Sequence, residues 1–104
     1  MKQLLQRRGN TLTVYIPEEV DHCFSDKMRE EVDKRLQTED IHKLIFDFEK
    51  TEFMDSSGIG LLMGRYKLMN ALQGTVHIIH AGERIQKILT LSGIYKIIPM
   101  EDRK

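Results

Sequence analysis

Two short apolar runs, Leu44 to Phe48 and Val76 to His80, constrain the fold of this chain more than any other feature. Each is nearly continuous in hydrophobicity, the pattern of a central strand covered on both faces. Each is followed by a helical pattern, Ser57 to Leu72 and Glu83 to Leu91. Parallel strands need crossover connections, and a helix is the usual one, so these runs call for a sheet with helical crossovers. Ahead of them, Gly9-Asn10 reads as a hairpin turn between residues 2–8 and Thr11 to Ile16. There Leu12, Val14 and Ile16 alternate with Thr11, Thr13 and Tyr15, the period of a half-buried strand. Phe24, Met28, Val32 and Leu36 recur every four residues among charges, a narrow helical stripe. Gly93 stands where a helix C-cap belongs, and Ile97-Ile98 reads as a short last strand before Pro99. The order β-β-α-β-α-β-α-(β) predicts an α/β fold, a mixed sheet of about four to five strands packed against three to four helices.

The chain has 104 residues, the size of a single domain spanning 1–104. Sixteen Lys and Arg balance sixteen Asp and Glu, which argues against a basic nucleic-acid binder and against an acidic disordered tail. No apolar run approaches the ~20 residues of a membrane span, and the first residues lack the apolar stretch of a signal peptide. A single cysteine, Cys23, cannot form an intrachain disulfide, and the expected setting is cytoplasmic. The balance of charge hides an asymmetry. Residues 1–52 carry nine basic and twelve acidic side chains, whereas residues 53–104 carry seven and four. The acids gather in two stretches, Glu18, Glu19 and Asp21, then Asp47, Glu49, Glu52 and Asp55.

In sheets of this kind ligands and partners gather at the carboxyl ends of strands and the helix N-termini that follow. That singles out Pro17 to Cys23 and Glu49 to Gly60. The second junction reads Phe53-Met54-Asp55-Ser56-Ser57-Gly58-Ile59-Gly60. At its simplest, Ser56 or Ser57 is the helix N-cap. A functional reading adds three points. Gly58 and Gly60 leave the first turn open to a close partner. A helix N-terminus favours an anion such as a phosphate on Ser56. Asp55 either orients the hydroxyl or opposes the charge of a product phosphate. Along the helix, Ile59, Leu62, Met63, Tyr66 and Met69 form the expected sheet-facing stripe. Leu61, Leu68 and Leu72 form a second, and Gly60, Gly64 and Ala71 a face of small residues. Such a helix needs covering on several sides, by its own neighbours or by another protein. Arg65 and Lys67 read as solvated charges.

An enzymatic reading finds little support. Ser56 lacks the first Gly of a G-x-S-x-G elbow, because Met54 stands there. His77 and His80, three apart in a strand, point to opposite faces and cannot share a metal. His22, His42, His77 and His80 all read as surface or satisfied histidines, and Cys23 beside His22 as a half-buried helix-start residue. No P-loop Lys, CxxC pair or HExxH motif occurs.

With the Phe53-to-Gly60 block in place, the chain resembles the anti-sigma factor antagonists of the STAS domain family (sulfate transporter and anti-sigma factor antagonist), of the stage II sporulation protein AA type. The resemblance covers nearly the whole chain. It is densest over Phe53 to Tyr66 and Leu91 to Ile98, with Asp21-His22 at the other signature position. It implies a STAS-like mixed sheet and a switch rather than a catalyst, acting as a monomer with no cofactor of its own. Members of this type bind an anti-sigma factor that is also a serine kinase, and so free the sigma factor. The kinase, which holds the ATP or ADP, phosphorylates the first serine of the Asp-Ser-Ser-Gly block, and a PP2C-type phosphatase reverses this. Carried over, the acceptor is Ser56, and Asp21, Asp55, Ser57, Gly58 and Gly60 are its partner-binding neighbours. Nucleic acid and membrane are not implied partners. Two departures stand out. Pro17-Glu18-Glu19 replaces the family's Gly before the Glu of the loop near Asp21, and the usual C-terminal helix is absent or reduced to a turn. A stress-response or scaffold protein of the same fold, a domain related to transporters, and a serine hydrolase are the alternatives.

Overall fold

The structure, a computed structural model, describes residues 2–99. After a 3-10 turn at Lys2–Leu4, β1 (Leu5–Arg8) and β2 (Thr11–Tyr15) form the hairpin. Gly9 takes φ +60° at its turn, a conformation that a residue without Cβ adopts freely. Then follow β3 (Glu19–Val20), α1 (His22–Thr38), β4 (Lys43–Asp47), β5 (Phe53–Met54), α2 (Ser56–Ala71), β6 (Thr75–Ile79) and α3 (Glu83–Ser92). The main sheet has the order β1-β2-β4-β6, with β1 antiparallel and the other pairs parallel. The expected fold class is the one observed.

Register decides where the core lies. Leu12, Leu44 and Val76 stand side by side across the sheet, as do Val14, Phe46 and Ile78, and all six are buried. They meet Met28, Val32 and Leu36 of α1, Leu62 and Met69 of α2, and Ile85 and Leu89 of α3 in one apolar cluster. The opposite face, Thr13, Ile45 and His77, is only half-buried. The apolar runs are therefore fully covered on one side rather than on both.

The last expected strand does not form. Gly93, at φ +80°, ends α3 and turns the chain into a 3-10 turn at Ile94–Lys96. Ile98 then donates its N–H to the carbonyl of Ile94 at 2.8 Å, leaving the chain coiled rather than laddered. Ile94 and Ile98 are buried all the same, so hydrophobicity fixed their position while the left-handed turn fixed their conformation. The expected shortening of the C-terminal helix falls on residues 100–104, outside the described residues. Among the described residues, no helix is long and apolar enough to cross a membrane.

Two strands were not foreseen. β3 and β5, two residues each, pair in parallel as a separate small sheet, Glu19 beside Phe53 and Val20 beside Met54. Their shortness hides them from any periodicity. They matter because they bring the two junctions together.

Candidate functional site

The site is built on paired strand ends. The N–H groups of Glu52 and Phe53 donate to the Glu18 carbonyl, and that of Asp55 donates to the Val20 carbonyl at 3.1 Å. Asp21 and Asp55 thus occupy equivalent places, each one residue beyond its short strand and each at the head of a helix. Both act as N-caps. Asp21 accepts from the Phe24 N–H at 2.8 Å, and Asp55 from the Ser57 N–H at 2.8 Å. Each carboxylate satisfies a donor that a helix start leaves free and sets negative charge against the positive end of the helix dipole. The expectation of Ser56 or Ser57 as cap is thereby corrected: the cap is the carboxylate before them.

This division of labour separates the two serines. The Ser57 hydroxyl donates a short hydrogen bond to the Asp55 carboxylate. Its oxygen also lies 2.9 Å from the buried hydroxyl of Ser25 in the first turns of α1. Since Ser57 has one proton and an ionised Asp55 only accepts, Ser25 is the donor to Ser57. The Ser57 hydroxyl is therefore occupied in both roles. Ser56, the first residue of α2, is exposed, and its hydroxyl has no hydrogen-bond partner among the described residues. The Ser57 hydroxyl, followed by the Ser57 N–H, holds the Asp55 carboxyl below its ordinary range against partial desolvation, with smaller help from His22 and the Gly58 N–H.

The two glycines differ. Gly60 is exposed, and a Cβ there would meet nothing within 4 Å, so this turn of α2 is open to an approaching surface. Gly58 is buried, and its Cβ would run into the Met54 side chain and stand 3.3 Å from a Val20 methyl. The expectation that both glycines expose backbone is corrected for Gly58, whose missing side chain lets α2 sit against the small sheet.

Two further readings of α2 change. Its fully buried residues are Gly58, Leu61, Leu62, Arg65 and Met69, while Ile59, Met63 and Tyr66 of the expected sheet-facing stripe are only half-buried. Arg65 is not solvated. Its side chain is 8% exposed, and Nε lies 2.7 Å from a carboxylate oxygen of Asp33 on α1. This ion pair lacks hydrogen-bond geometry, and Arg65 Nη1 is sealed without a hydrogen-bond partner. Burial pulls the guanidinium below its ordinary range, and Asp33 opposes that. Cys23 is exposed, not half-buried. A shallow pocket between the first turns of the two helices is lined by Ser25, Arg29, Ser57 and Gly60, so α1 contributes more of this surface than Asp21 alone.

The chain belongs to the STAS domain family, which it matches over residues 2–104. Its relatives there share a narrower name. An anti-sigma F factor antagonist of Paenibacillus polymyxa is 31% identical over 96% of this chain and 86% of its own length. An anti-sigma-B factor antagonist of Listeria monocytogenes is 21% identical over 96% and 87%. Among solved structures, the anti-sigma factor antagonist SpoIIAA in its unphosphorylated form superposes with a TM-score of 0.88 at 26% identity, covering 96% of this chain and 86% of that one. The Bacillus cell fate determinant SpoIIAA in the phosphorylated form gives 0.79 at the same 26% identity, covering 96% and 89%.

Proposed function

We propose that this chain is a cytoplasmic anti-sigma factor antagonist switched by phosphorylation at Ser56. In its unmodified form it binds an anti-sigma factor serine kinase, which holds the nucleotide, and so frees the sigma factor; a PP2C-type phosphatase restores that form. Asp21, Asp55, Ser57, Gly58 and Gly60 frame the contact, Gly58 by holding α2 in place. The observation that carries this reading is the free, exposed hydroxyl of Ser56 at the aspartate-capped start of α2, beside a Ser57 whose hydroxyl is already engaged.

Electrostatics supplies the mechanism. Phosphorylation adds about −1.5 to −2 charges. The α2 dipole favours that charge within the chain, whereas Asp21 and Asp55 disfavour it, so the two effects oppose each other inside the domain. A partner has no such compensation. A surface fitted to a small hydroxyl meets a hydrated dianion, and burying an imperfectly paired charge weakens binding by a few kcal/mol, ~10²-fold or more. Incubation with the cognate kinase and ATP, followed by mass spectrometry, should place the phosphate on Ser56. Ser56→Ala should bind the kinase and resist release by ATP, and Ser56→Asp should bind about 10²-fold more weakly. Phosphate on neither serine, or wild-type binding by Ser56→Asp, would refute the reading.

A further inference from the structure

We propose that Asp47, Glu49 and His80 form a binding site for a divalent transition-metal ion, with Zn²⁺ as the best-matched case. Asp47 ends β4, and His80 follows the last residue of β6, which stands beside Asp47 in the parallel ladder. The ladder thus fixes a carboxylate and an imidazole at neighbouring strand ends. His80 Nδ1 lies 3.1 Å from Asp47 Oδ1 and 3.9 Å from Glu49 Oε1. One ligand atom from each residue falls within 4.8 Å of the others. Ligand atoms around a tetrahedral zinc at about 2.1 Å stand about 3.4 Å apart, so the measured separations straddle those of a filled site.

The chemistry of the donors points the same way. Two carboxylates face one ring nitrogen, which has at most one proton to offer them. A cation among the three atoms neutralises both carboxylates and uses the Nδ1 lone pair, with the ring proton moved to Nε2. One imidazole nitrogen with two carboxylate oxygens suits a zinc-like ion better than Mg²⁺ or Ca²⁺, which prefer all-oxygen sets. The Glu49 N–H donates to Asp47 Oδ1 at 2.9 Å and orients that carboxylate. A cavity of about 200 Å³, with Tyr15, Asp47, Glu49 and Lys50 in its wall, adjoins the two carboxylate residues. None of the residues framing Ser56 takes part.

Calorimetric titration of zinc chloride into the full chain tests the site. Asp47 is buried and its substitution would confound folding with binding, so the test uses Glu49→Gln and His80→Asn. Asn tolerates the φ of +61° that His80 adopts. Wild type, Cys23→Ser and His42→Ala should each bind one ion with the same Kd. Glu49→Gln and His80→Asn should lose affinity by about tenfold or more. Absence of one-to-one binding, binding that survives His80→Asn, or binding that vanishes in Cys23→Ser would overturn the assignment.

Discussion

The difference between Ser56 and Ser57 rests on one carboxylate. Asp55 accepts hydrogen bonds from the Ser57 hydroxyl and N–H and leaves the Ser56 hydroxyl free, so neighbours of identical chemistry face different surroundings. The cap also carries a pH signature. The folded-state pKa of Asp55 is lowered, so its contribution to stability is full above the unfolded carboxylate value of about 3.9 and is lost as pH falls through the lower folded value. Chemical denaturation of wild type and Asp55→Ala at several pH values should show a stability gap that is constant near neutrality and closes in acid. A gap independent of pH would remove the charged cap from the account. The sequence showed three polar residues ahead of a helix, and any of them satisfies an N-cap preference. The local Asp55 contact occupies the Ser57 hydroxyl as donor, and Ser25, reaching it from a different helix, fills its acceptor role.

At the scale of elements, the glycines of α2 give opposite predictions. Gly58→Ala must displace the buried Met54 and should cost about 1–3 kcal/mol, measured by thermal or chemical unfolding. Gly60→Ala meets open space within the helix and should stabilise the fold by about 0.5–1 kcal/mol. Under the proposed function it should also weaken kinase binding, because it adds a methyl group to the contact surface. Gain in Tm with loss of affinity would separate packing from recognition; loss of both would place Gly60 in the scaffold. The strands and helices themselves were legible, since their periods differ and their apolar residues repeat. β3 and β5 were not, because two residues have no period; their pairing follows from the Glu18 and Val20 carbonyls needing donors.

Across the whole molecule, α1 and α2 are joined by a charge pair, a buried Arg65 against a half-buried Asp33, that reading one helix at a time misses. Asp33→Ala leaves the Arg65 guanidinium buried without its counter-charge and should cost about 3 kcal/mol, lowering Tm by about 10 °C or more. Replacing both by apolar residues, Asp33→Leu with Arg65→Met, should recover most of the loss, because neither charge is then stranded. Failure of the double variant to recover would point to a role for Arg65 beyond the pair. What the sequence determined by itself was the order of the four main-sheet strands and three helices, most of the apolar core and the Asp-Ser-Ser-Gly block at a helix start, since these depend on residue type and short-range spacing. Tertiary structure decided which strands stand side by side, that Gly58 serves packing while Gly60 faces outward, that Arg65 is buried, and that Asp47 and His80 meet. The strand pairings and the Asp33–Arg65 and Asp47–His80 contacts join residues about thirty positions apart, set by register and close packing, and no local pattern encodes them.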